Sequence, residues 1–253
     1  MKKRPFVFKV LQSRAKCVSF LFASVCLISF ISCSEENDNW DDGDENCTIT
    51  YVTNDNQVLI SHTGTNYGAN LISNTYNNGH GKLIFDAPVT AIGETAFIYD
   101  VNLVSIYLPE EVTLIGEKAF TNCINLEYVS MENKVTAIET GAFHSCHKLE
   151  DIYISTELTL IGERAFASCR NIYNMALGKK VTIIGDLAFE GCKNLISFSC
   201  ESETPPQCGV NIFYGCDPRL KIYVPKDAVT AYKNAEGWKQ YVDKIVGYQF
   251  DIE

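Results

Sequence analysis

Hydrophobic and polar positions recur with a fixed period of 23 residues between Leu83 and Cys216. Four ladders keep this register. They are an alanine–phenylalanine pair (Ala96/Phe97, Ala119/Phe120, Ala142/Phe143, Ala165/Phe166, Ala188/Phe189, then Phe213 after 24 residues), an apolar residue before threonine (Val89, Val112, Val135, Leu158, Val181), an aliphatic residue (Leu103, Leu126, Leu149, Ile172, Leu195) and a cysteine (Cys123, Cys146, Cys169, Cys192). A sustained period in this range is typical of a solenoid.

Each repeat predicts two short strands and a compact turn. In the segment Leu103–Pro109, period-two alternation directs Tyr107 outward and both of its neighbours inward, and the proline ends the strand. Val112–Gly116 predicts a second strand that ends in a glycine turn. Glu117–Cys123 predicts one or two helical turns that pack the alanine and phenylalanine inward. One repeat cannot bury its own apolar face, so stacking is required.

The repeated phrase resembles a known family. Val-Thr-x-Ile-Gly-x-x-Ala-Phe-x-x-Cys-x-x-Leu occurs at Val112–Leu126 and again at Val181–Leu195. It resembles the BspA-like (Treponema pallidum-type) leucine-rich repeat of bacterial surface proteins, from about Tyr51 to Ile245. The resemblance implies an α/β leucine-rich-repeat solenoid, right-handed, with about six 23-residue repeats. Glu139 departs from the pattern because it replaces the turn glycine.

The chain on either side of the array predicts caps that cover its first and last repeats. Residues 47–82 predict an amino-terminal cap of short antiparallel strands, with turn chemistry at Asn77–Gly81. The array is assigned to residues 83–225. Residues 226–253 predict a carboxy-terminal helical cap, since Val229, Tyr232, Trp238, Tyr241 and Ile245 follow mainly helical intervals and Gly237 marks a break.

The amino terminus predicts export and lipidation. Six basic residues precede an uncharged apolar run at Cys17–Ile31, which is typical of a signal peptide over residues 1–32. Phe30-Ile31-Ser32-Cys33 resembles the lipobox of bacterial lipoproteins, and this resemblance implies lipidation of Cys33; an ordinary cleaved signal peptide is the alternative. Residues 33–46 predict an extended acidic tether. Their acidic start resembles the signal that places lipoproteins on the outer face of the outer membrane.

The net charge of the chain without residues 1–32 limits which molecules it is expected to bind. Removal of residues 1–32 leaves 15 basic and 31 acidic residues, and 15 − 31 gives a net charge of −16. Such a surface repels phosphate backbones and anionic lipid heads. We therefore expect no nucleic-acid partner, and contact with the membrane only through the lipid anchor.

The residues that could carry chemistry have simpler packing roles. The periodic cysteines occupy one repeat position and are expected to be buried free thiols. A disulfide between Cys200 and Cys208 stays open. His144, Cys146 and His147 provide too few convergent ligands for zinc, because the repeat register directs the cysteine inward. No nucleophile–base order and no phosphate-binding glycine loop is present. We expect no catalytic residue, no metal and no cofactor.

Outward strand positions are the most informative surface. One column is expected to expose Tyr107, Ser130, Tyr153, Ala176, Ser199 and Tyr223, and a second contains Ser105, Tyr128, Asp151, Asn174 and Ser197. The candidate ligand-binding residues are Tyr107, Tyr128, Tyr153, Tyr173 and Tyr223. Tyrosine among small polar residues suits recognition of protein or sugar. The alternative is that tyrosine simply favours strands.

The sequence thus predicts a lipid-anchored, surface-displayed solenoid that binds macromolecules and is not an enzyme. The family resemblance implies adhesion, with a host extracellular-matrix or cell-surface protein or glycoprotein, or another bacterium, as the partner. A carbohydrate-capture lipoprotein of a glycan-uptake system is the alternative. We expect a monomer.

Overall fold

The computed structural model describes residues 45–59, 66–131 and 134–250. A 3-10 turn at Glu45–Cys47 precedes the first strand. The strands are β1 (Thr48–Thr53), β2 (Leu71–Asn77), β3 (His80–Phe85), β4 (Ala91–Ile92), β5 (Leu103–Tyr107), β6 (Leu114–Ile115), β7 (Tyr128–Ser130), β8 (Ala137–Ile138), β9 (Asp151–Ile152), β10 (Leu160–Ile161), β11 (Asn174–Leu177), β12 (Ile183–Ile184), β13 (Ser197–Cys200), β14 (Gln207–Cys208), β15 (Lys221–Pro225) and β16 (Ile245–Tyr248). Helix α1 covers Val229–Asn234, between 3-10 turns at Lys226–Ala228 and Lys239–Tyr241.

The strands form three sheets that run along the solenoid. The first sheet has the order β2-β3-β1-β5-β7-β9, the second has the order β14-β12-β10-β8-β6-β4, and the third has the order β11-β13-β15-β16. Within the array every strand pairs in parallel with its equivalent one coil away, as β6 does with β8. The predicted leucine-rich-repeat solenoid is confirmed.

A stack of phenylalanine rings runs through the core. Ring centroids are 5.1 Å apart for Phe97–Phe120 and for Phe120–Phe143, 5.3 Å for Phe143–Phe166, 5.5 Å for Phe166–Phe189 and 5.7 Å for Phe189–Phe213. The rings are within 20° of parallel. All six side chains are buried, so the alanine–phenylalanine period corresponds to one continuous apolar column.

The predicted helical turn after the second strand is wrong. In Glu117–Cys123 the backbone bonds are of the turn type, such as the 3.1 Å bond from the Thr121 N–H to the Lys118 carbonyl. Lys118 and Asn122 have φ values of 54° and 63°, which no α-helix accommodates. The Phe120 N–H instead donates to the Ala142 carbonyl of the next coil at 2.7 Å. The turn segment is therefore a third hydrogen-bonded ladder between coils.

Close packing between coils explains the glycine that follows the second strand in most repeats. A Cβ atom added at Gly162 would lie 2.5 Å from the backbone nitrogen of Thr140 in the preceding coil. Glu139 occupies the equivalent position in its own coil, and its Oε2 accepts a 3.0 Å hydrogen bond from the Glu117 N–H. At this position the Glu139 carboxylate accepts a hydrogen bond from a backbone N–H of the neighbouring coil. In the other coils, glycine at the same position lets the two backbones approach closely.

The predicted β-rich amino-terminal cap is confirmed. β1 pairs antiparallel with β3 and with β5, so the cap continues the first sheet beyond the first coil of the array. The Tyr51 side chain is fully buried, donates to Asn74 Oδ1 and accepts a 3.2 Å hydrogen bond from the Leu59 N–H. A two-residue turn at Asn78-Gly79, both with positive φ, joins β2 to β3.

The carboxy-terminal cap contains less helix than predicted. α1 has six residues, and Ile245–Tyr248 forms β16, which pairs in parallel with β15. Gly237 has a φ of 78°, and a Cβ atom there would lie 2.6 Å from the Cys208 carbonyl oxygen, so the chain turns against the end of the second sheet. The Trp238 Nε1–H donates to the Pro206 carbonyl at 2.8 Å. The described residues contain no helix that is long and apolar enough to cross a bilayer.

Candidate binding surface

The outer side of β5, β7, β9, β11, β13, β15 and β16, here called the strand face, carries the predicted tyrosines. Tyr107, Tyr128 and Tyr153 lie together on its first-sheet part and are called the tyrosine cluster. Ring centroids are 5.4 Å apart for Tyr107–Tyr128 and 6.2 Å for Tyr128–Tyr153. Tyr107 and Tyr153 are each 45% exposed. The ring planes are inclined by 48° and 70°, so the cluster is ridged rather than flat.

Strand register explains the cluster. Tyr128 is in register with Ser105 on β5, and Tyr107 is in register with Ser130 on β7. The two tyrosines are therefore diagonal neighbours across adjacent strands, with a small serine opposite each ring. Diagonal neighbours in a sheet are within reach of aromatic side chains. The two columns that the sequence predicts as separate thus interlock into one surface.

The remaining two tyrosines lie outside the cluster. Tyr173 is 50% exposed and precedes β11 by one residue. Tyr223 on β15 contacts Tyr248 on β16 at 6.0 Å, and Tyr248 contacts Phe250 at 5.2 Å. Tyr223, Tyr248 and Phe250 are called the carboxy-terminal aromatic group. Sequence reasoning missed Tyr248 and Phe250 because it assigned this segment to a helical cap, although Val246, Tyr248 and Phe250 alternate with the period of a strand.

One predicted surface position is corrected. Ser199 was expected to be exposed between Ala176 and Tyr223, but its side chain is only 3% exposed. The repeat period fixes the direction in which its Cα–Cβ bond points, whereas its burial depends on the larger side chains that surround it. Ser199 therefore contributes no accessible surface to the strand face.

Acidic side chains flank the tyrosine cluster. Glu127 precedes Tyr128 and pairs with Lys148 at 3.4 Å, and the pair is about half exposed. Glu150 is exposed, and its Oε1 accepts a 3.0 Å hydrogen bond from Asn171 Nδ2–H. The surface around the three rings therefore combines apolar area with carboxylates.

Threonines immediately before the second strand of each repeat have a structural role. The hydroxyl of each donates to the carbonyl of the equivalent threonine one coil earlier, at 3.2 Å for Thr113 to Thr90, 3.1 Å for Thr136 to Thr113, 3.0 Å for Thr159 to Thr136 and 3.2 Å for Thr182 to Thr159. The same carbonyls also accept backbone N–H bonds at 2.8–2.9 Å. This column stabilises coil stacking.

The periodic cysteines are free thiols, as predicted. They also make a hydrogen bond that the sequence analysis missed, because each thiol donates to the phenylalanine carbonyl of the preceding coil. The donor–acceptor distances are 2.9 Å for Cys123 to Phe97, 3.1 Å for Cys146 to Phe120, 3.0 Å for Cys169 to Phe143, 3.2 Å for Cys192 to Phe166 and 3.1 Å for Cys216 to Phe189. Burial raises the pKa of the Cys146 and Cys169 thiols far above the ordinary value, which makes them poor nucleophiles.

Cys200 and Cys208 are both free in the structure. The Tyr232 hydroxyl contacts the Cys200 sulfur at 3.3 Å and donates to the Ser202 carbonyl at 2.9 Å. Burial raises the pKa of Cys208 to about 12. The possible disulfide between these two cysteines is therefore not formed here, and Cys200 packs beneath the carboxy-terminal cap.

No grouping of three or more potential metal ligands occurs among residues 45–59, 66–131 and 134–250. In the His144-Cys146-His147 segment, the Cys146 thiol is committed to the Phe120 carbonyl. Burial lowers the pKa of both histidines, and nearby Arg164 adds to this effect at His144. The three side chains do not form a metal site.

A polar depression lies at the amino-terminal end of the solenoid. It is open and shallow, and it is lined by Asn66, Gly68, Ala69, Asn70, Asp86 and Ala87. Asp86 accepts hydrogen bonds from the Asn70 backbone and side-chain N–H groups, both at 2.8 Å, and these bonds lower the pKa of the carboxyl. Among the described residues that line the depression, Asp86 alone is ionisable, and the two hydrogen bonds hold it as a carboxylate.

The stacked coils and their exposed strand face define a leucine-rich-repeat solenoid. The sequence profile of the BspA type leucine rich repeat region matches residues 90–219 in six copies. The chain therefore belongs to the BspA-type leucine-rich-repeat family. This repeat generally serves as a non-enzymatic binding scaffold.

Two solved structures share the fold of this chain. The Treponema pallidum leucine-rich-repeat protein TpLRR is 27% identical, with a TM-score of 0.50, over 63% of this chain and 78% of that one. The pneumococcal vaccine antigen PcpA shares the fold at 16% identity and a TM-score of 0.54, over 64% of this chain and 40% of PcpA. A Bacteroides ovatus leucine-rich-repeat protein aligns at 19% identity and a TM-score of 0.31, over 62% and 63% of the two chains. No curated protein sequence matches this chain.

Proposed function

We propose that this protein is a lipid-anchored adhesin of the cell surface, and that the tyrosine cluster of Tyr107, Tyr128 and Tyr153 binds a host or bacterial surface protein or glycoprotein. The observation that carries the proposal is the contact of three partly exposed rings on neighbouring strands. Tyrosine offers a large amphipathic contact area at little cost in side-chain entropy.

The array supports this role because it holds the rings in place before a partner arrives. Tyr107 and Tyr128 lie on β5 and β7, Tyr153 directly follows β9, and the inward residues Ile106, Val129 and Ile152 of these strands are in register with one another. A preformed surface loses little conformational entropy on binding. The acidic side chains at Glu127 and Glu150 would favour a partner that presents basic groups beside apolar ones.

The binding test uses the intact protein in detergent and immobilised extracellular-matrix proteins. We expect Tyr107→Ala, Tyr128→Ala and Tyr153→Ala together to weaken binding at least about 30-fold, since one aromatic residue at an interface centre contributes about 2 kcal/mol or more. Tyr99→Ala with Tyr214→Ala is the matched control, because both rings are exposed, at 64% and 65%, on the turn segments of other coils. Equal loss in the control would overturn the assignment of this surface.

The ridged shape of the cluster also separates adhesion from carbohydrate capture. Rings inclined by 48° and 70° do not form one flat platform for a sugar chain. A glycan array provides the comparison. Tight binding of one neutral sugar class through these tyrosines, with no binding to matrix proteins, would favour a carbohydrate-capture lipoprotein instead.

The anchor is tested separately, because Cys33 and residues 33–44 of the predicted tether lie outside the described residues. We expect Cys33→Ala to release the protein from the membrane fraction and to abolish incorporation of labelled fatty acid. Protease treatment of intact cells should digest the wild-type protein if it faces the exterior. Retention of the Cys33→Ala variant in the membrane fraction would contradict lipid anchoring.

A further inference from the structure

The strand face is interrupted in the middle of the array. β9 is the last strand of the first sheet, and β11, its equivalent one coil later, is the first strand of the third sheet. The other two ladders between the same coils continue, because β8 pairs in parallel with β10 and the Phe143 N–H donates to the Ala165 carbonyl at 2.7 Å. Phe143 and Phe166 also remain stacked at 5.3 Å. The two coils therefore stay packed together, and the interruption is confined to their strand face.

Two core side chains are partly exposed at this interruption. Ile152 on β9 and Ile154, two residues later, pack against the core but are not fully covered. The residues equivalent to Ile152 in the other coils are at most 2% exposed: Ile106, Val129, Met175, Phe198 and Ile222. The residues equivalent to Ile154 are at most 4% exposed: Leu108, Met131, Leu177, Cys200 and Val224. Both inward positions thus lose cover in the same coil, the one whose strand ends the first sheet.

The opening over these isoleucines has an uncharged lining. Tyr153, which is 45% exposed, lies between Ile152 and Ile154 in the chain and borders the opening on the β9 side. Asn174 and Ala176 are exposed on the β11 side, and neither is large enough to cover the isoleucines. None of these five side chains is acidic or basic. The opening is therefore suited to an uncharged, apolar group.

We propose that this opening, here called the core slot, receives one apolar side chain, of about the size of leucine, from the protein that the tyrosine cluster binds. The core slot is continuous with the cluster, since Tyr153 borders the slot and contacts Tyr128 at 6.2 Å. A whole strand does not fit, because its neighbours would have to be about 10 Å apart and the stacked coils prevent this. The inference rests on the function proposed for the cluster, and it adds the buried anchor that interfaces place in a pocket at their centre.

A small probe tests the core slot without the partner. N-acetyl-L-leucinamide is titrated into the intact protein in phosphatidylcholine nanodiscs, with the isoleucine δ1 methyl groups labelled for NMR. We expect the methyl resonances of Ile152 and Ile154 to shift in a saturable way, whereas that of the buried Ile106 stays in place. N-acetyl-L-alaninamide is the matched probe, because it keeps both amide groups and lacks the isobutyl side chain. It should cause no saturable shift.

A substitution that fills the core slot tests its role in binding. We expect Ala176→Phe to abolish the shifts caused by N-acetyl-L-leucinamide. It should also weaken binding to the immobilised matrix proteins about tenfold, because burial of one leucine-sized side chain accounts for a factor of that size. Ile183→Phe is the matched control, since it places the same ring at a 39% exposed position on β12 of the second sheet. The control should change neither measurement.

Failure of the core slot and failure of the adhesin proposal give different results. If the wild-type protein binds no matrix protein, or if the triple tyrosine variant binds as tightly as the wild type, the adhesin proposal fails and the methyl shifts still decide the slot. The core slot is overturned if N-acetyl-L-leucinamide causes no saturable shift at Ile152 and Ile154, or if N-acetyl-L-alaninamide shifts them equally. It is also overturned if Ala176→Phe binds the matrix proteins as tightly as the wild type while the triple tyrosine variant does not.

Discussion

The interior of the array and its strand face follow opposite rules. Inside, each coil places a phenylalanine ring at the same position, most coils add a cysteine thiol and a close backbone approach, and the distances repeat within a few tenths of an ångström. Outside, equivalent positions carry tyrosine, serine, alanine or lysine. Because stacking requires only the interior to repeat, the strand face is free to vary, and function is expected where the repeat is broken.

The largest effect is expected in the ring stack. Phe143→Ala removes a ring that contacts Phe120 at 5.1 Å and Phe166 at 5.3 Å. We expect the free energy of unfolding to fall by about 3–5 kcal/mol, since a buried cavity is left in the middle of the column. Urea unfolding followed by circular dichroism measures this. A loss below about 1 kcal/mol would mean that the coils do not share one core.

Close approach between coils should be the next most sensitive feature. Gly162→Ala places a Cβ atom 2.5 Å from the Thr140 nitrogen, so the two coils must move apart at a cost of about 1–3 kcal/mol. Gly178→Ala is the matched control, because its nearest backbone atom would be 3.6 Å away. The melting temperature of Gly162→Ala should be clearly lower than that of Gly178→Ala. Equal melting temperatures would contradict the close-approach explanation.

The cysteine ladder should contribute less per residue. Cys146→Ala removes the thiol donor to the Phe120 carbonyl, which still accepts a 3.1 Å bond from the Cys123 N–H. We expect a loss of about 1 kcal/mol in the free energy of unfolding. Cys146→Ser retains a donor at this position and separates the hydrogen bond from packing. If the alanine variant is as stable as the wild type, the thiol hydrogen bond makes no net contribution to stability.

A pH effect is expected at His144, at the boundary between interior and surface. Burial lowers its pKa below the ordinary value of 6.5, so the unfolded chain binds a proton more readily than the folded protein does. Stability contributed by this residue is therefore present above pH 6.5 and is lost as the pH falls through the folded pKa. His144→Gln should flatten this part of the stability profile, measured by urea unfolding across mildly acidic pH. An unchanged slope would count against this account.

The smallest effect on stability should come from the strand face. Tyr153→Ala removes a ring that is 45% exposed, and we expect a change within about 0.5 kcal/mol in the free energy of unfolding. The same variant should weaken binding to the immobilised matrix proteins. A large loss of stability from this single change would contradict the prediction that the strand face contributes little to folding.

Part of the candidate binding surface could be predicted from the sequence. Period-two alternation placed Tyr107 and Tyr153 outward, and the structure agrees. It did not place Tyr107 and Tyr128 in contact, because contact depends on the diagonal register between strands and on the serines opposite each ring. Ser199 was misplaced for a similar reason, since direction can be predicted from alternation, whereas burial depends on neighbouring side chains.

The sequence by itself determined the repeat, because a 23-residue period in apolar positions is satisfied only by stacking equivalent residues. It also determined that the periodic cysteines are packed inside, because they share one register position. Only the tertiary structure decided how each coil turns, since the φ values of Lys118 and Asn122 follow from hydrogen bonds to the neighbouring coil. The same holds for β16, which local apolar spacing predicts as helix and which becomes a strand because it pairs with β15.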